Sequence, residues 1–221
     1  MTSTNDQERA FSDQRAAMVG LLRSYYRIQD ERILAAMGKV RRHTYIPEKL
    51  RRDSNPYGDY PCSIGFGQTI SQPFIVAYMT EKMELKKGEK VIEIGTGSGY
   101  QAAILAELGV DVYTIEIIPE LAEHARKALA AEGYDKVHVL MGDGYKGWPE
   151  HSPFDAVIIT CSPEEVPPAL VNQLKDGGRM ILPLDTGAQR LVILRKKGDI
   201  LGREDDIGVR FVPMVHGKDK P

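Results

Sequence analysis

The chain has 221 residues, of which 42% are hydrophobic and 27% are charged, and its formal net charge is −2. This near balance excludes the strong electrostatic field with which proteins bind nucleic acids or membrane surfaces. Two cysteines, Cys62 and Cys161, are too few for a disulfide framework or a cysteine metal cluster. No stretch approaches ~18 uninterrupted apolar residues, and the polar start is unlike a signal peptide. We therefore expect a cytoplasmic monomer that holds no metal.

The N-terminal third of the sequence is predicted to be mainly helical. Residues 1–12 are mostly polar and are expected to form a flexible tail. Apolar residues at helical spacing predict a helix from about Asp13 to Tyr26, and a second helix is predicted to begin at the cap residue Asp30. Several prolines beyond this point indicate irregular chain. We assign residues 13–72 to a helical extension that ends in a loop for substrate and cofactor.

The loop at the end of this extension, residues 64–73, has an unusual composition for a connector. The side chains of Gln68, Thr69 and Ser71 can hydrogen-bond a polar ligand, and binding residues are often carried by loops on a rigid scaffold. Ser71 also precedes Pro73 at the predicted start of a helix, so its hydroxyl could instead cap the free amides of that helix. Both roles remain open from the residues alone.

The sequence is organised around a buried strand, a glycine-rich turn and a helix. The strand is predicted over residues 91–94, and Gly95, Gly97 and Gly99 follow it at alternate positions before a helix over residues 101–108. Glycine permits the positive φ angles and the close approach of a ligand that a Cβ atom would prevent. Such a unit presents backbone amides and a helix N-terminus to whatever occupies the turn. A nucleotide-type site is therefore predicted here.

A second strand, over residues 110–115, supports this interpretation because it ends in Glu116. An acid at this point, about 20 residues beyond the first glycine, is placed to accept hydrogen bonds from two ribose hydroxyls. Its charge would repel a 2′-phosphate, which favours an adenosine-type cofactor over NADP. Glu93, near the tip of the first strand, has two interpretations: it faces an ammonium group of the cofactor, or it is merely an acid exposed at a strand end.

Two more strands are predicted to end near the same edge of the sheet. Asp143 and Gly144 follow a strand over residues 137–140. Ligands of doubly wound sheets bind beyond the carboxyl ends of the strands, so Asp143 is a candidate acceptor for an adenine amino group. A turn formed by the Asp-Gly pair is the alternative. Cys161 ends the next strand, over residues 156–161, and is interpreted as a packing residue.

The last three predicted strands cover residues 178–182, 191–195 and 207–212. No long helix separates them, so they are expected to form an antiparallel edge. The alternation of strands and helices before them predicts a mostly parallel sheet with helices on both faces. The predicted fold class is therefore α/β: a doubly wound, mostly parallel seven-stranded sheet of Rossmann-like type. We assign residues 73–215 to this domain and residues 216–221 to a C-terminal tail.

Two runs of sequence, residues 64–73 and 91–100, carry a resemblance to a known family. With shorter runs that follow in the same order up to Pro213, they resemble the bacterial protein-L-isoaspartate O-methyltransferases. The glycine turn alone is similar to the first motif of the whole class I S-adenosylmethionine-dependent methyltransferase superfamily. The segment from Gln68 to Ser71 is much more specific. The resemblance extends from about Asp13 to Val215, nearly the whole chain.

The resemblance implies protein-L-isoaspartate (D-aspartate) O-methyltransferase activity. The sulfonium methyl of S-adenosylmethionine would pass to the free α-carboxylate of an L-isoaspartyl residue in a damaged peptide or protein, leaving S-adenosylhomocysteine. The ester would collapse to a succinimide that reopens partly to aspartate, so the implied activity is repair. By position, Ser71 is the implied catalytic-site residue, and its hydroxyl is expected to orient the acceptor carboxylate. A carboxylate is already ionised at neutral pH, so no strong general base is required.

The remaining candidate residues follow by position from the same resemblance. The expected cofactor contacts come from the loop of residues 64–73, here called the polar loop, from the glycine turn of residues 95–99, and from the ends of the strands. They are Gln68, Thr69, Ser71, Glu93, Gly95, Thr96, Gly97, Gly99, Glu116, Ile117, Asp143 and Gly144. The expected peptide contacts come from the polar loop and the last strand: Ile64, Phe66, Thr69, Ser71, Val209 and Phe211.

Three other functions would account for part of the sequence pattern. A small-molecule carboxylate methyltransferase would share the glycine turn and Glu116, but it would have no reason to keep the polar loop. A DNA amino-methyltransferase needs an Asn/Asp-Pro-Pro-aromatic motif and a basic face, and residues 55–57 imitate that motif only in part. A non-catalytic nucleotide-binding regulator would bind the cofactor without turning it over.

Overall fold

The computed structural model describes residues 4–52, 54–185 and 187–217. Its helices, in chain order, are α1 (Thr4–Ser24), α2 (Glu31–Lys39), α3 (Glu48–Arg51), α4 (Pro73–Lys82), α5 (Tyr100–Glu107), α6 (Pro119–Ala131) and α7 (Pro168–Gln173). Its strands are β1 (Cys62–Gly65), β2 (Gln68–Ile70), β3 (Lys90–Ile94), β4 (Asp111–Glu116), β5 (His138–Met141), β6 (Phe154–Ile159), β7 (Leu174–Asp185), β8 (Gln189–Lys197) and β9 (Ile200–Gly208). Within these described ranges, no helix is both long and apolar enough to cross a membrane.

Seven strands form the central sheet, in the order β5-β4-β3-β6-β7-β8-β9. The strands from β5 to β7 pair in parallel, whereas β8 pairs antiparallel with both β7 and β9. The predicted fold class, a mostly parallel seven-stranded sheet with an antiparallel C-terminal edge, is therefore confirmed. The chain runs outward from β3 to β4 and β5, then returns to the other side of β3 as β6. This reversal leaves a crevice beyond the carboxyl end of β3.

Both faces of the sheet are buried, which explains why its central strands are almost continuously apolar. On one face, Val91 and Ile158 join a core that includes residues of α1, α2, α4, α5 and α6. On the other face, Ile92 and Val157 belong to a second core that includes Leu170 of α7. The N-terminal helices therefore share a hydrophobic core with the sheet.

The N-terminal extension differs from its prediction in where the first helix begins. Helix α1 starts at Thr4, not near Asp13, so the described part of the expected flexible tail is helical. Residues 6–12 are exposed except for the half-buried Phe11 and are largely polar, so hydrophobic spacing gave no signal for this part of the helix. Residues 1–3 lie outside the described residues. Asp30 caps α2 as expected, with its side chain accepting from the Arg32 amide at 2.9 Å.

The last strand also differs from its prediction. Strand β9 ends at Gly208, so the strand expected over residues 207–212 is wrong for most of its length. An edge strand whose residues are exposed or half-buried can be polar, and the four charged residues at 203–206 of β9 gave no apolar signal, so only residues 207 and 208 fell within the predicted strand. Residues 209–217, which we call the C-terminal segment, leave the sheet and pass over its carboxyl edge. Residues 218–221 of the expected tail lie outside the described residues.

Two hydrogen bonds hold the C-terminal segment to the chain that follows β6. The Ser162 amide donates to the Val212 carbonyl, and the Met214 amide donates to the Ser162 carbonyl, both at 2.8 Å. Farther along, His216 stacks on Tyr145 with ring centroids 3.9 Å apart. These contacts place the C-terminal segment beside the carboxyl end of the central strands.

Candidate active site

The glycine turn follows β3 directly and adopts the conformation for which glycine is required. Gly95, Gly97 and Gly99 have φ angles of 91°, 53° and 89°, all in the left-handed region. A Cβ atom on Gly95 would lie 2.6 Å from the hydroxyl oxygen of Thr160, which is closer than real Cβ contacts allow. Gly99 caps the N-terminus of α5. The predicted strand, turn and helix are thus present, and the turn leaves its backbone accessible.

A cleft of about 840 Å³, including the open space at its mouth, lies where the glycine turn faces the polar loop. This volume is in the range of small-molecule sites. The predicted cofactor residues that line it are Gln68, Thr69, Ser71, Glu93, Gly95, Thr96, Gly97, Glu116, Ile117 and Gly144. Residues far apart in the sequence therefore meet at the crevice that the strand order creates.

Glu116, at the end of β4, organises the floor of the cleft. Its side chain accepts hydrogen bonds from three backbone amides: Gly97 to Oε2 at 2.7 Å, and Ile117 and Ile118 to Oε1 at 2.9 Å each. Burial raises the pKa of Glu116, and these amides oppose that shift by stabilising the carboxylate. Oε2, which accepts only one of these three bonds, retains acceptor capacity for a further donor such as a ribose hydroxyl.

Glu93, in the middle of the cleft, is an acid without a cationic partner among the described residues. It is fully buried, so the interpretation as an acid merely exposed at a strand end is wrong. Its Oε2 accepts from the Thr114 hydroxyl at 2.6 Å, whereas its Oε1 is buried without a hydrogen-bond partner. Burial raises the pKa of Glu93 to about 8. A positively charged group of a ligand, placed beside Oε1, would supply the missing hydrogen-bond donor and stabilise the carboxylate.

The raised pKa makes the stability of the ligand-free protein depend on pH. The folded state binds a proton at Glu93 more tightly than the unfolded chain, whose pKa is near 4.5. The stability gained is complete below about pH 4.5 and is lost as pH rises through about 8. Between about pH 6 and 8.5, we expect wild type to lose roughly 2–3 kcal/mol more than Glu93→Gln, because about two pH units of this span lie below the folded pKa and each is worth about 1.4 kcal/mol. Urea unfolding at both pH values measures this, and parallel losses would contradict it.

Ser71 stands at the junction of β2 and α4 and lines the cleft. The N-cap of α4 is Gln72, not Ser71, and no side chain of the cap residue bonds the helix amides. Within the described residues, the Ser71 side chain has no hydrogen-bond partner. The alternative role of Ser71 as a helix cap is therefore not realised, and its hydroxyl is available to a ligand.

Several predicted site residues do not line the cleft. Gly99 packs against Leu129 of α6 instead. Asp143 lies at the sheet edge, but its Oδ1 accepts from the Tyr145 amide at 2.9 Å, and its Oδ2 accepts from the Gly217 amide at 3.3 Å. The turn-forming alternative therefore describes its side chain, while the neighbouring Gly144 does line the cleft.

Of the predicted peptide contacts, Thr69 and Ser71 line the cleft and the other four do not. Ile64 is buried beneath Gly97, whereas Phe66 is 56% exposed at the tip of the β1–β2 hairpin with a φ of 55°. Val209 and Phe211 are partly buried against the core of the N-terminal face. Phe211 is held through Gln189, which accepts from its amide at 2.6 Å. Of these four, Phe66 offers the most exposed apolar surface.

The sequence prediction missed part of the cleft wall. Thr160 and Cys161, at the end of β6, and residues 212–215 of the C-terminal segment line it. The first pair could have been found, since they follow a parallel strand at the same edge as Glu93. The interpretation of Cys161 as a packing residue agrees with its pKa, which burial raises, so its thiol is not activated. The expected peptide contacts Val209 and Phe211 lie just before residues 212–215, but no pattern in the sequence predicts that those four residues line the cleft.

The donor set of the cleft fits S-adenosylmethionine. Its ammonium group would donate a hydrogen bond to Oε1 of Glu93, which has no partner among the described residues. Its ribose hydroxyls would donate to Glu116, and the glycine turn has no side chains to prevent its close approach. Among the described residues, no three His, Cys, Asp or Glu side chains are grouped to hold a metal ion. A doubly wound sheet with this turn, these two acids and this cleft defines the class I S-adenosylmethionine-dependent methyltransferases.

Comparisons with known proteins narrow this class. The sequence model of the protein-L-isoaspartate (D-aspartate) O-methyltransferase family matches residues 13–219, and the chain belongs to that family. A protein-L-isoaspartate O-methyltransferase from Picosynechococcus sp. is 49% identical over 187 residues, which cover 85% of this chain and 83% of that one.

Two solved structures resemble the fold. A protein-L-isoaspartate O-methyltransferase superposes with a TM-score of 0.82 at 28% identity, covering 92% of this chain and 66% of the other. A Plasmodium falciparum protein of this name, solved in complex with S-adenosyl-L-homocysteine, superposes with a TM-score of 0.79 at 24% identity. It covers 90% of this chain and 97% of its own, and at that identity the likeness concerns the fold alone.

Proposed function

We propose that this protein transfers the methyl group of S-adenosylmethionine to the free α-carboxylate of L-isoaspartyl residues in damaged peptides and proteins. The backbone amide nitrogen of the next residue then attacks the ester carbonyl and expels methanol, and the resulting succinimide begins the repair of the residue. One observation carries the proposal. The unpaired Ser71 hydroxyl and the glycine turn line one cleft, so an acceptor and a methyl donor can lie side by side.

The chemistry requires little of the protein beyond binding and orientation. S-adenosylmethionine supplies an electrophilic methyl group on a positively charged sulfur. An isoaspartyl α-carboxylate is ionised at neutral pH, so it is already a nucleophile and needs no general base. Alignment of two bound reactants can lower a barrier by up to ~7–11 kcal/mol. The proposed role of Ser71 is to donate a hydrogen bond to one carboxylate oxygen while the other faces the methyl group.

The cofactor would be held by the turn and the two acids. The glycine turn allows its backbone to approach the methionine and ribose portions, and Glu116 accepts from the ribose hydroxyls. Glu93 faces the ammonium group with its unpaired oxygen. Gly144 offers a backbone amide near the adenine, and Asp143 is proposed to support that loop as well as to accept from the adenine amino group. Gln68 and Thr69, which also line the cleft, would lie between the cofactor and the peptide.

The peptide is proposed to lie in extended form between the polar loop and residues 209–211. Phe66 projects from the hairpin beside this path and would contact apolar side chains of the substrate. The assigned boundaries, with the substrate elements in residues 13–72 and the cofactor domain in residues 73–215, belong to the same proposal. So does the expectation of a cytoplasmic monomer that binds neither nucleic acid nor membrane.

The decisive experiment compares one peptide in two connectivities. We expect transfer of labelled methyl from S-adenosylmethionine to a peptide with an isoaspartyl residue, and background incorporation into its normal aspartyl twin. Only the former has a free α-carboxylate, because its chain continues through the β-carboxyl group, whereas the aspartyl twin has a free β-carboxylate. Equal labelling of both peptides would reject the proposal. Labelling of free carboxylic acids alone would indicate a small-molecule methyltransferase, and binding without turnover would indicate a regulator.

A further inference from the structure

The start of helix α4 is capped by a residue that is distant in the sequence. Helix α4 begins with Pro73, which has no amide hydrogen, so Phe74 carries its first backbone donor. That amide donates to Oδ1 of Asp59 at 3.1 Å. Asp59 lies in the irregular chain before β1 and therefore performs the task that an N-cap side chain usually performs locally.

Asp59 also ties this helix start to the N-terminal extension. Its Oδ2 accepts from the Gln72 side-chain amide at 2.8 Å and from the Tyr26 hydroxyl at 2.5 Å. The hydrogen bond to Asp59 raises the pKa of Tyr26 to about 12. The Tyr26 ring stacks on Phe74 with centroids 4.0 Å apart. Residues on both sides of Pro73 are thus fixed by one carboxylate.

The amide that Asp59 occupies is the one for which Ser71 would compete. A serine hydroxyl at a helix start accepts from the amide two or three residues ahead. For Ser71 the first of these positions is Pro73, which cannot donate, and the second is Phe74. Because Asp59 already holds the Phe74 amide, the Ser71 hydroxyl has no local acceptor task and no partner within the described residues.

We propose that Asp59 is a positioning residue for methyl transfer: it caps α4 from a distance and thereby keeps the Ser71 hydroxyl free for the acceptor carboxylate. Asp59 itself does not line the cleft, so it acts through Ser71. The inference rests on the proposed function, since it assumes that Ser71 meets a carboxylate. It adds that the loss of Asp59 converts Ser71 into a helix cap.

A double-mutant cycle tests this inference through kcat at saturating peptide and cofactor. We expect Asp59→Ala to lower kcat about as much as Ser71→Ala, and Asp59→Ala with Ser71→Ala to lower it no further. Interacting residues give non-additive effects of this kind. Adding Gln72→Asp to Asp59→Ala supplies a local cap and should restore most of the rate. Multiplied losses in the double variant, or an Asp59→Ala enzyme with wild-type kcat, would overturn the inference.

Asp30→Ala is the matched control, because it removes the cap of α2 and so also lowers stability by the loss of one helix cap. Asp30 touches neither Ser71 nor α4's first turn, so kcat should be unchanged. S-adenosylhomocysteine affinity should also be the same in wild type and Asp59→Ala. If Asp30→Ala lost as much kcat as Asp59→Ala, the lower kcat of Asp59→Ala would be explained by lost stability alone, and the inference would be overturned.

Hydrogen exchange at the Phe74 amide separates this inference from the proposed function. We expect faster exchange in Asp59→Ala than in wild type, and faster exchange again when Ser71→Ala is added, because Ser71 then no longer replaces the lost acceptor. Equal exchange in the two variants would overturn the inference even in an active enzyme. Wild type without turnover of the isoaspartyl peptide would instead reject the proposed function.

Discussion

Replacing Ser71 with alanine is expected to lower kcat by roughly 10- to 100-fold with saturating isoaspartyl peptide. Ser71 contributes the unpaired hydroxyl at the junction of the polar loop and α4, inside the cleft. A hydrogen bond to a charged group contributes about 1.5–3 kcal/mol, and each 1.36 kcal/mol of barrier corresponds to tenfold in rate. The hydroxyl orients the carboxylate during transfer, so the loss should appear in kcat as well as in kcat/KM.

Ser63→Ala is the appropriate control for this effect. Ser63 lies on the adjacent strand β1 and is exposed, and its hydroxyl accepts from the Gly65 amide at 3.3 Å. Its removal changes the hairpin without altering the cleft wall, so turnover should remain close to wild type. A Ser71→Ala enzyme with full kcat would show that the hydroxyl does not orient the acceptor.

Replacing Glu116 with alanine should weaken binding of S-adenosylhomocysteine by roughly 1–3 kcal/mol, the scale of lost hydrogen bonds to a charged group. Two effects add. The ribose hydroxyls lose their acceptor, and the Gly97 amide loses the carboxylate oxygen that fixes it at 2.7 Å. The glycine turn should therefore be less ordered before the ligand arrives. Isothermal titration calorimetry measures the affinity directly.

Glu116→Gln sharpens the same prediction. The glutamine keeps the size of the side chain, but its NH₂ group would face one of the backbone amides that now donate to Glu116. Two opposed donors repel, so this variant should also bind weakly. Glu123→Ala, which removes an exposed acid of α6, is the control and should bind like wild type. Unchanged affinity in Glu116→Ala would remove the ribose assignment.

The centre of the fold could be predicted because its signals are local. The apolar run before Gly95, the alternate glycines and the acid at Glu116 each depend on a few neighbouring residues, and the structure shows all of them. The buried strands of a parallel sheet are apolar on both faces, so they are easy to find. The edges are different. Residues 4–12 and strand β9 are structured but polar, and hydrophobic spacing therefore missed them.

The cleft could be predicted only in part, because some of its organisation depends on long-range contacts. The two interpretations of Ser71 as cap or ligand residue could not be separated without Asp59, whose carboxylate holds the Phe74 amide. Asp143 was placed at the correct sheet edge, but its side chain is engaged by Tyr145 and Gly217. Hydrogen bonds between residues so far apart in the sequence produce no periodic pattern from which they could be predicted.

The return of residues 212–215 to the cleft has a consequence for biosynthesis. On a translating ribosome, β3 and its glycine turn emerge more than a hundred residues before residues 212–215. The backbone amide and carbonyl of Ser162 can form their hydrogen bonds only after Val212 and Met214 have been synthesised. A nascent polypeptide can therefore assemble its parallel strands while the ligand chamber still lacks one side. Tight ligand capture should begin only once residues 212–215 have left the exit tunnel and closed that side of the cleft.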